Sequence, residues 1–268
     1  MNAYSAWQEA PEAEFAVIGD PVSHSLSPRM HQAAYSAYGL SLRYVAIHVP
    51  AGEVALALDH LVTRGYRGVN VTVPHKEAAL DWCADAAPLA RRVRAANTIR
   101  FSDRTCINTD APGFIDTLGD LGLRPGTALL LGAGGSARAL AYALADEGWR
   151  LRIYNRTRAR AEELLSGLRL NAEILDDPDP LDADLILNTT SASLQNADLG
   201  IPWERASAHA VAYDLMYAPT ATPFMAAAAE HGLRTTDGRP LLAAQGARSF
   251  TWWLNLPSPR AAMLAALG

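Results

Sequence analysis

The sequence predicts an α/β protein with two α/β domains. Short runs rich in Val, Ile and Leu alternate with helical stretches, which is the pattern of parallel sheets covered by helices. The alternation starts near residue 14 and starts again at residue 127. The last part of the chain, residues 241–268, is instead Ala-rich and largely helical. We expect these C-terminal helices to pack on the first domain.

The first series of elements begins with an apolar run at residues 14–19, which predicts a strand. A helix follows from Ser27 to about residue 38, because Pro28 suits the first position of a helix. The other predicted elements of this half are strands at 42–49 and 68–73 and helices at 54–64, after Pro74 and at 88–94.

The second series begins with a strand at residues 127–132. It continues with helices at 137–147 and 158–168 and strands at 151–154, 185–188 and 211–214. We place the first domain at residues 1–110, completed by 239–268, and the second at 111–238. The predicted junction lies near residues 108–113.

Composition argues for a soluble globular protein and against several kinds of partner. Half of the 268 residues are hydrophobic and 19% are charged, which is ordinary for such proteins. The net charge of −5 gives no support to binding of nucleic acid or anionic membranes. No apolar run approaches the roughly 18 residues of a membrane span. Residues 1–14 are unlike a signal peptide, and Cys83 and Cys106 lack metal-like spacing. We expect a cytoplasmic protein, a monomer or homodimer, without a bound metal.

A glycine-rich turn after the strand at 127–132 indicates a dinucleotide site. The turn has the pattern G-x-G-x-x-A and comprises Gly132, Ala133, Gly134, Gly135, Ser136 and Ala137. Glycines permit a tight turn and let backbone N–H groups approach a pyrophosphate at the positive end of the next helix. The alternative is a purely structural turn. The strand–turn–helix context favours the nucleotide site and predicts that the second domain is Rossmann-like.

The strand at 151–154 indicates which dinucleotide binds. A domain that prefers NAD carries an acidic residue about 20 positions after the turn, where it binds ribose hydroxyls. This chain has Asn155, Arg156 and Thr157 there, with Arg158 and Arg160 close behind. A carboxylate would repel a 2′-phosphate, whereas an arginine binds it through two parallel hydrogen bonds. The pattern predicts NADP, with Arg156 as a phosphate ligand. The alternative, a solvated helix face, suits Arg158 better.

Two serines at the start of the first predicted helix indicate a site for a carboxylate. Pro28 at the first helical position makes Ser27 the expected N-cap, and Ser25 lies two residues earlier. Hydroxyls and free N–H groups at a helix start can bind an anion. Ser27 alone is explained by capping, but Ser25 is not.

Two residues of the first half are candidates for acid–base chemistry. Lys76 follows Pro74 in the opening turn of a helix, where the helix dipole opposes a cation. Local propensity therefore does not explain this lysine, and the alternative is a salt bridge to Glu77 or another acid. Asp110 lies at the predicted domain junction, where a cleft is expected, and it could equally cap the following helix. His75 is left out, because alternation around the turn points it away.

Together these motifs resemble the shikimate dehydrogenase family, over nearly the whole chain. Their joint order and spacing are specific, although no single motif is. The segments are residues 25–28 (SLSP), 68–76 (GVNVTVPHK), 96–98 (ANT), 108–110 (NTD), the glycine turn, 155–157 (NRT), 188–191 (NTTS), 213–217 (YDLMY) and Gln245. Two segments depart from the common pattern. Ser193-Leu194 replaces a Gly-Met pair, and residues 238–241 (GRPL) replace a glycine-rich loop expected beside the nicotinamide.

The resemblance implies the NADP-dependent reduction of 3-dehydroshikimate to shikimate, with Lys76 and Asp110 as the catalytic pair. It implies that Ser25 and Ser27 bind the substrate carboxylate, with Tyr217 nearby. The residues implied to bind the ring hydroxyls are Asn70, Thr72, Asn97, Asp110 and Gln245. The implied cofactor contacts are the six residues of the glycine turn, Asn155, Arg156, Thr157, Arg160, Thr189, Leu215, Gly238 and Leu241.

Two other functions stay open at this point. A quinate/shikimate dehydrogenase would tolerate an extra ring hydroxyl and often uses NAD, but Asn155 and Arg156 speak against NAD. A non-catalytic nucleotide-sensing protein could share the fold. The presence of both Lys76 and Asp110 argues against that second alternative.

Overall fold

A computed structural model describes residues 4–195 and 197–268 of the chain. The chain divides into two compact units. The first contains the residues up to Gly113 together with Leu242–Gly268, and the second is Phe114–Leu241.

Ten α-helices lie within the described residues, and both unit boundaries fall inside a helix. The helices are α1 Ser27–Ala37, α2 Val54–Thr63, α3 Lys76–Trp82, α4 Pro88–Val93, α5 Asp110–Asp120, α6 Gly135–Asp146, α7 Arg158–Leu168, α8 Pro223–Glu230, α9 Arg239–Leu254 and α10 Arg260–Leu267. None of these helices is both long and apolar enough to cross a membrane.

The first unit contains a mixed sheet with the strand order β1-β3-β2-β4-β6-β7-β5. The strands are β1 Ser5–Ala6, β2 Phe15–Gly19, β3 Tyr44–His48, β4 Gly68–Val71, β5 Asp85–Ala86, β6 Thr98–Arg100 and β7 Thr105–Ile107. Strands β1 to β4 pair in parallel, whereas β6 is antiparallel to both β4 and β7. The antiparallel part was not predicted, because three-residue strands carry almost no periodic signal.

Helices cover both faces of this first sheet. Alternate residues of a strand face opposite sides, and Ile18 of β2 accordingly packs with α2 while Phe15 and Val17 pack with α1, α9 and α10. All five residues of β2 are buried, as expected of a strand covered on both sides. The C-terminal helical segment thus completes the core of the first unit.

The second unit contains a fully parallel sheet with the order β10-β9-β8-β11-β12-β13. The strands are β8 Thr127–Leu131, β9 Arg150–Tyr154, β10 Glu173–Leu175, β11 Leu185–Asn188, β12 Val211–Asp214 and β13 Arg234–Thr236. Leu130 packs with α6 and α7 on one face, whereas Leu129 and Leu131 pack with α8 on the other. The strand order reverses direction at β8, and nucleotides bind at such a switch point in open α/β sheets. The predicted α/β class with a Rossmann-like domain is confirmed.

The structure differs from the sequence prediction at several element ends. The strand predicted at 68–73 ends at Val71, and β10, β13 and α8 were not predicted. Residues 238–241 replace a glycine-rich loop of the family pattern, and in the structure Arg239, Pro240 and Leu241 form the first turn of α9.

Candidate active site

The central contact of the first unit is an ion pair between Lys76 and Asp110. Lys76 is the first residue of α3 and Asp110 the first residue of α5. Lys76 Nζ lies 2.7 Å from Asp110 Oδ2, and the two side chains are 14% and 15% exposed. The local alternative, an ion pair with Glu77, is not formed. An ammonium has three hydrogens, and within the described residues only Asp110 accepts one from Lys76. Two therefore remain for a substrate oxygen.

Asn97 holds the other oxygen of Asp110. Its Nδ2 donates to Asp110 Oδ1 at 2.9 Å, and its Oδ1 accepts from the Thr109 backbone N–H at 2.7 Å. Asn97 is buried. The carboxylate is thus fixed between an ammonium and an amide, so its orientation toward Lys76 is set before substrate binds.

Asn108, and not Asp110, caps helix α5. Its Oδ1 accepts from the Ala111 backbone N–H at 3.1 Å, and its Nδ2 donates to the Ala95 carbonyl at 3.0 Å. Capping by the preceding asparagine leaves the Asp110 carboxylate available to Lys76. The capping role that the sequence left open for Asp110 is thus filled by Asn108.

The helix start near Ser25 is built differently from the sequence prediction. Ser27 is the first residue of α1, and Leu26 takes the N-cap position. The predicted N-cap role of Ser27 is therefore wrong. Ser25 Oγ accepts from the Ser27 backbone N–H at 3.2 Å. Ser25 thus binds a free N–H group at the helix start, a role that was not predicted. The first turn of α1 contains no acidic residue, and a carboxylate would meet no negative charge there.

The remaining predicted substrate residues of the first unit differ in their exposure. Asn70 on β4 and Gln245 on α9 are buried, whereas Thr72 is half-buried. Tyr44 on β3 donates to Asn70 Oδ1 at 2.8 Å, and Gln245 Nε2 donates to the Leu242 carbonyl at 2.8 Å. The bond from Tyr44 to Asn70 was not predicted, because the apolar strand context of Tyr44 indicates only a core residue.

A histidine lies directly behind Tyr44. His31 of α1 is fully buried and stacks on the Tyr44 ring, with the centroids 4.1 Å apart and the planes at 3°. Within the described residues neither ring nitrogen has a hydrogen-bond partner. Burial lowers the pKa of His31 from its ordinary value of 6.5 to about 3, and the nearby Asn70 side chain opposes the shift only in part. His31 is therefore neutral in the folded protein.

We expect His31 to make the protein acid-sensitive. In the unfolded chain His31 takes up a proton as the pH falls below its ordinary pKa of 6.5. In the folded chain the pKa of His31 is about 3, so the ring stays neutral until the pH approaches that value. The contribution of neutral His31 to the free energy of unfolding is thus fully present above pH 6.5 and is lost as the pH falls toward 3. Between pH 7 and pH 5, His31 should account for a loss of about 2 kcal/mol. Denaturant unfolding at both pH values should show that His31→Phe, which keeps a stacking ring, removes most of this loss. The same pH dependence in His31→Phe and in the exposed-site variant His231→Asn would contradict this origin.

The turn after β8 in the second unit is suited to a pyrophosphate. Gly132 has a φ of +110°, and a Cβ there would lie 2.5 Å from Thr189 Oγ1, so only glycine fits. Gly134 is the N-cap of α6 and has no side-chain capping bond. Added Cβ atoms at Gly134 and Gly135 would meet only open space. The first N–H groups of α6 are therefore accessible to an anion.

Three arginines follow β9, and their pairing differs. Arg158 Nε lies 3.2 Å from Glu162 Oε1, and its Nη1 lies 2.8 Å from Asp176 Oδ1. Arg156 and Arg160 are exposed, and neither guanidinium has a partner within the described residues. Asn155 Nδ2 donates to the Thr157 carbonyl at 2.7 Å, which leaves the Asn155 oxygen free. The unit thus offers two unpaired guanidinium groups where a 2′-phosphate is expected.

The loops after β11 and β12 are joined by a buried carboxylate. Asp214 accepts from Asn188 Nδ2, the Ser193 hydroxyl, the Met216 N–H and the Thr222 hydroxyl. Burial raises the pKa of Asp214, although these four bonds oppose the shift. Ser193, which departs from the family pattern, thus has a structural partner. The side chain of Leu194 lies outside the part of the chain that the structure describes.

Gly238 lies against the loop after β12. A Cβ at Gly238 would collide with the Leu215 carbonyl oxygen. Any side chain there would push this loop away. Leu215 and Tyr217 are half-buried in the same loop, and Leu241 packs on the core beside α6 and α7. Four predicted contact residues thus belong to one region of the second unit.

The described residues contain no group of three or more His, Cys, Asp and Glu side chains that could hold a metal ion. The groups available for chemistry are the Lys76–Asp110 pair in the first unit and the glycine turn with the free arginines in the second.

Comparison with known proteins identifies relatives across nearly the whole chain. Residues 17–99 match a family profile described as the shikimate dehydrogenase substrate binding domain. Shikimate dehydrogenase (NADP(+)) of Moorella thermoacetica is 43% identical over 268 residues, which is 92% of this chain and 90% of that protein.

Solved structures of similar fold include enzymes with different substrates. Shikimate 5-dehydrogenase of Thermus thermophilus, solved with NADP(H) and shikimate, has a TM-score of 0.87 at 38% identity, over 95% of this chain and 98% of that chain. The 5-ketofructose reductase of a Gluconobacter species has a TM-score of 0.84 at 29% identity, over 96% and 98% of the two chains. The fold alone therefore does not settle the substrate.

Proposed function

Because this chain belongs to the shikimate dehydrogenase family, we propose that it is an oxidoreductase that reduces 3-dehydroshikimate reversibly to shikimate with NADPH. The observation that carries the proposal is the half-buried Lys76–Asp110 pair, which joins an ammonium to the carboxylate that orients it. A nucleotide sensor would have no use for this pair. The two free cysteines support a location in the reducing cytoplasm.

Lys76 performs the proton transfer in this proposal. NADPH, when bound, would supply hydride to the carbonyl carbon of the substrate, and the oxygen of that carbonyl needs a proton. Lys76 Nζ stabilises the developing negative charge and donates the proton, since two of its hydrogens are not used by Asp110. Asp110, which is itself held by Asn97, keeps the ammonium in place. In the reverse reaction the same nitrogen accepts the proton.

The other polar side chains of the first unit bind and orient the substrate. The helix start at Ser25 and Ser27 holds the carboxylate, because hydroxyl and N–H donors meet there without an opposing acid. Asn70, Thr72 and Gln245 bind ring hydroxyls. Tyr217, which follows β12 in the second unit, stays a predicted substrate residue.

The second unit holds NADP. The open helix start at Gly134 and Gly135 suits the pyrophosphate. Arg156 and Arg160, which are unpaired within the described residues, suit the 2′-phosphate that distinguishes NADP from NAD.

Absorbance of the reduced nicotinamide tests the proposal. We expect rapid formation of NADPH from shikimate and NADP⁺, and much slower formation of NADH from quinate and NAD⁺. Consumption of NADPH with 5-ketofructose should also be slow. Preference for quinate with NAD⁺, or for 5-ketofructose, would replace the proposed substrate. Binding of NADP⁺ without turnover of any of the three would favour a sensor.

We expect Ser25→Ala to raise KM for shikimate by about tenfold with little change in kcat. A hydrogen bond to a charged group contributes about 1.5–3 kcal/mol, and one that is equally strong in ground and transition states affects KM. The lower end of the range applies, because the Ser25 hydroxyl is also bonded to the Ser27 N–H. Ser36→Ala, an exposed serine of the same helix, is the matched control. An unchanged KM in Ser25→Ala would show that Ser25 only supports the helix start.

A further inference from the structure

Ser249 is a fully buried hydroxyl at the centre of the polar network in the first unit. It lies on α9, four residues after Gln245. Its Oγ is 2.9 Å from Asn70 Nδ2 and 2.8 Å from Thr98 Oγ1, and it is 3.4 Å from Thr109 Oγ1. The hydroxyl therefore contacts three segments of chain that carry predicted substrate or catalytic residues.

The direction of the bond between Ser249 and Asn70 is fixed, because an amide nitrogen can only donate. The backbone carbonyl of Gln245 is 3.0 Å from Ser249 Oγ and can only accept. Ser249 Oγ donates to this carbonyl, and a lone pair of Ser249 accepts from the Asn70 amide nitrogen. Between Ser249 and Thr98 either hydroxyl can be the donor.

This arrangement determines which atom of the Asn70 amide remains available to a bound ligand. Asn70 Nδ2 has two hydrogens and three acceptors, namely the Asn97 carbonyl at 3.1 Å, Thr98 Oγ1 at 3.0 Å and Ser249 Oγ. Both hydrogens are therefore used inside the protein. Asn70 Oδ1 accepts from the Tyr44 hydroxyl and keeps a second lone pair.

We propose that Ser249 is a positioning residue that holds the Asn70 side chain so that its oxygen, and not its nitrogen, is available to a hydroxyl group of the substrate. Asn70 then recognises a ring hydroxyl as an acceptor. The inference rests on the proposed function and specifies the chemistry of one of its substrate contacts. Ser249 itself does not touch the substrate.

The test is steady-state kinetics of Ser249→Ala with shikimate and NADP⁺. Loss of one buried hydrogen bond to Asn70 should raise KM for shikimate roughly 3- to 15-fold. The value of kcat should stay within about twofold, and KM for NADP⁺ should not change. Thr98→Val, which removes the hydroxyl bonded to both Ser249 and Asn70, should give the same pattern.

A double-mutant cycle separates positioning from a general effect on the fold. If Ser249 acts through Asn70, Ser249→Ala should have no further effect on KM in an Asn70→Ala background. Tyr35→Phe is the control, because Tyr35 is a buried residue of the same unit whose hydroxyl has no partner within the described residues. Tyr35→Phe should leave both kinetic constants unchanged.

The outcomes are distinguishable. An unchanged KM in Ser249→Ala would overturn the inference, and so would an equal loss from Ser249→Ala with and without Asn70. A fall in kcat and a rise in both KM values, matched by Tyr35→Phe, would indicate a packing effect and would also overturn it. Failure of the wild-type protein to oxidise shikimate would overturn the proposed function itself.

Discussion

Replacing Lys76 with alanine should lower kcat by roughly 10²–10⁴-fold, the range of a positioned acid–base group. Lys76 is the only group in the described residues that donates to Asp110 Oδ2, and the variant loses both the proton donor and the positive charge. KM for NADP⁺ should change little, because the predicted cofactor residues belong to the second unit. The measurement is the initial rate with saturating shikimate and NADP⁺.

Arg91→Ala is the matched control for Lys76→Ala. It removes the cation of another ion pair of the first unit, Arg91 with Asp85, whose side chains are 62% and 65% exposed. Exposed pairs contribute little, so this variant should keep wild-type turnover. Near-normal kcat in Lys76→Ala would remove Lys76 from the mechanism. Similar losses in both variants would point to charge in general rather than to a specific proton donor.

Arg156→Ala should lower kcat/KM for NADP⁺ by roughly 10- to 100-fold and leave the value for NAD⁺ nearly unchanged. Only NADP⁺ carries the 2′-phosphate, and loss of one charge-assisted contact removes about 1.5–3 kcal/mol from that cofactor alone. Arg160 compensates in part, since it is also unpaired within the described residues. Adding Asn155→Asp should shift the preference further toward NAD⁺, because a carboxylate repels the phosphate and accepts from ribose hydroxyls.

Arg158→Ala is the control for the cofactor experiment. Its guanidinium is held by Glu162 and Asp176, so its removal should leave the ratio of the two kcat/KM values unchanged. Equal losses for NADP⁺ and NAD⁺ in Arg156→Ala would mean that Arg156 stacks on the adenine or supports the fold. A shift in the ratio with Arg158→Ala would mean that the phosphate site lies one turn further along.

Several features of the site can be predicted from neighbouring residues alone. The helix beginning at Lys76 follows from the proline two residues before it, and the misfit of a cation at that helix start pointed to a functional role. The glycine turn at Gly132 follows from its position between a strand and a helix. The pattern after β9 separated Arg156 from Arg158. The roles of these residues with substrate and cofactor stay predictions, which the variants above test.

Other features of the site were predicted wrongly, or could not be predicted, from neighbouring residues alone. Ser27 was expected to cap α1 and instead begins it, because Leu26 already takes the N-cap position. Capping of α5 by Asn108 rather than Asp110 depends on which side chain turns back toward the helix. Neither choice is visible in the sequence, since each depends on one or two backbone torsions.

What the sequence by itself determined is the class of each long element, the two-part α/β organisation and the kind of chemistry available. These depend on periodicity, turns and charges within about ten residues of one another. Only the tertiary structure decided that Lys76 meets Asp110, 34 residues away, and that Ser249 meets Asn70, 179 residues away. Such contacts depend on strand order and on where α9 packs against the first sheet.

A short antiparallel pair, β6 with β7, brings Asn97 beside Thr109 and Asp110. Three-residue strands of this kind form because their neighbours cover them, and their own sequence carries no signal strong enough to predict them.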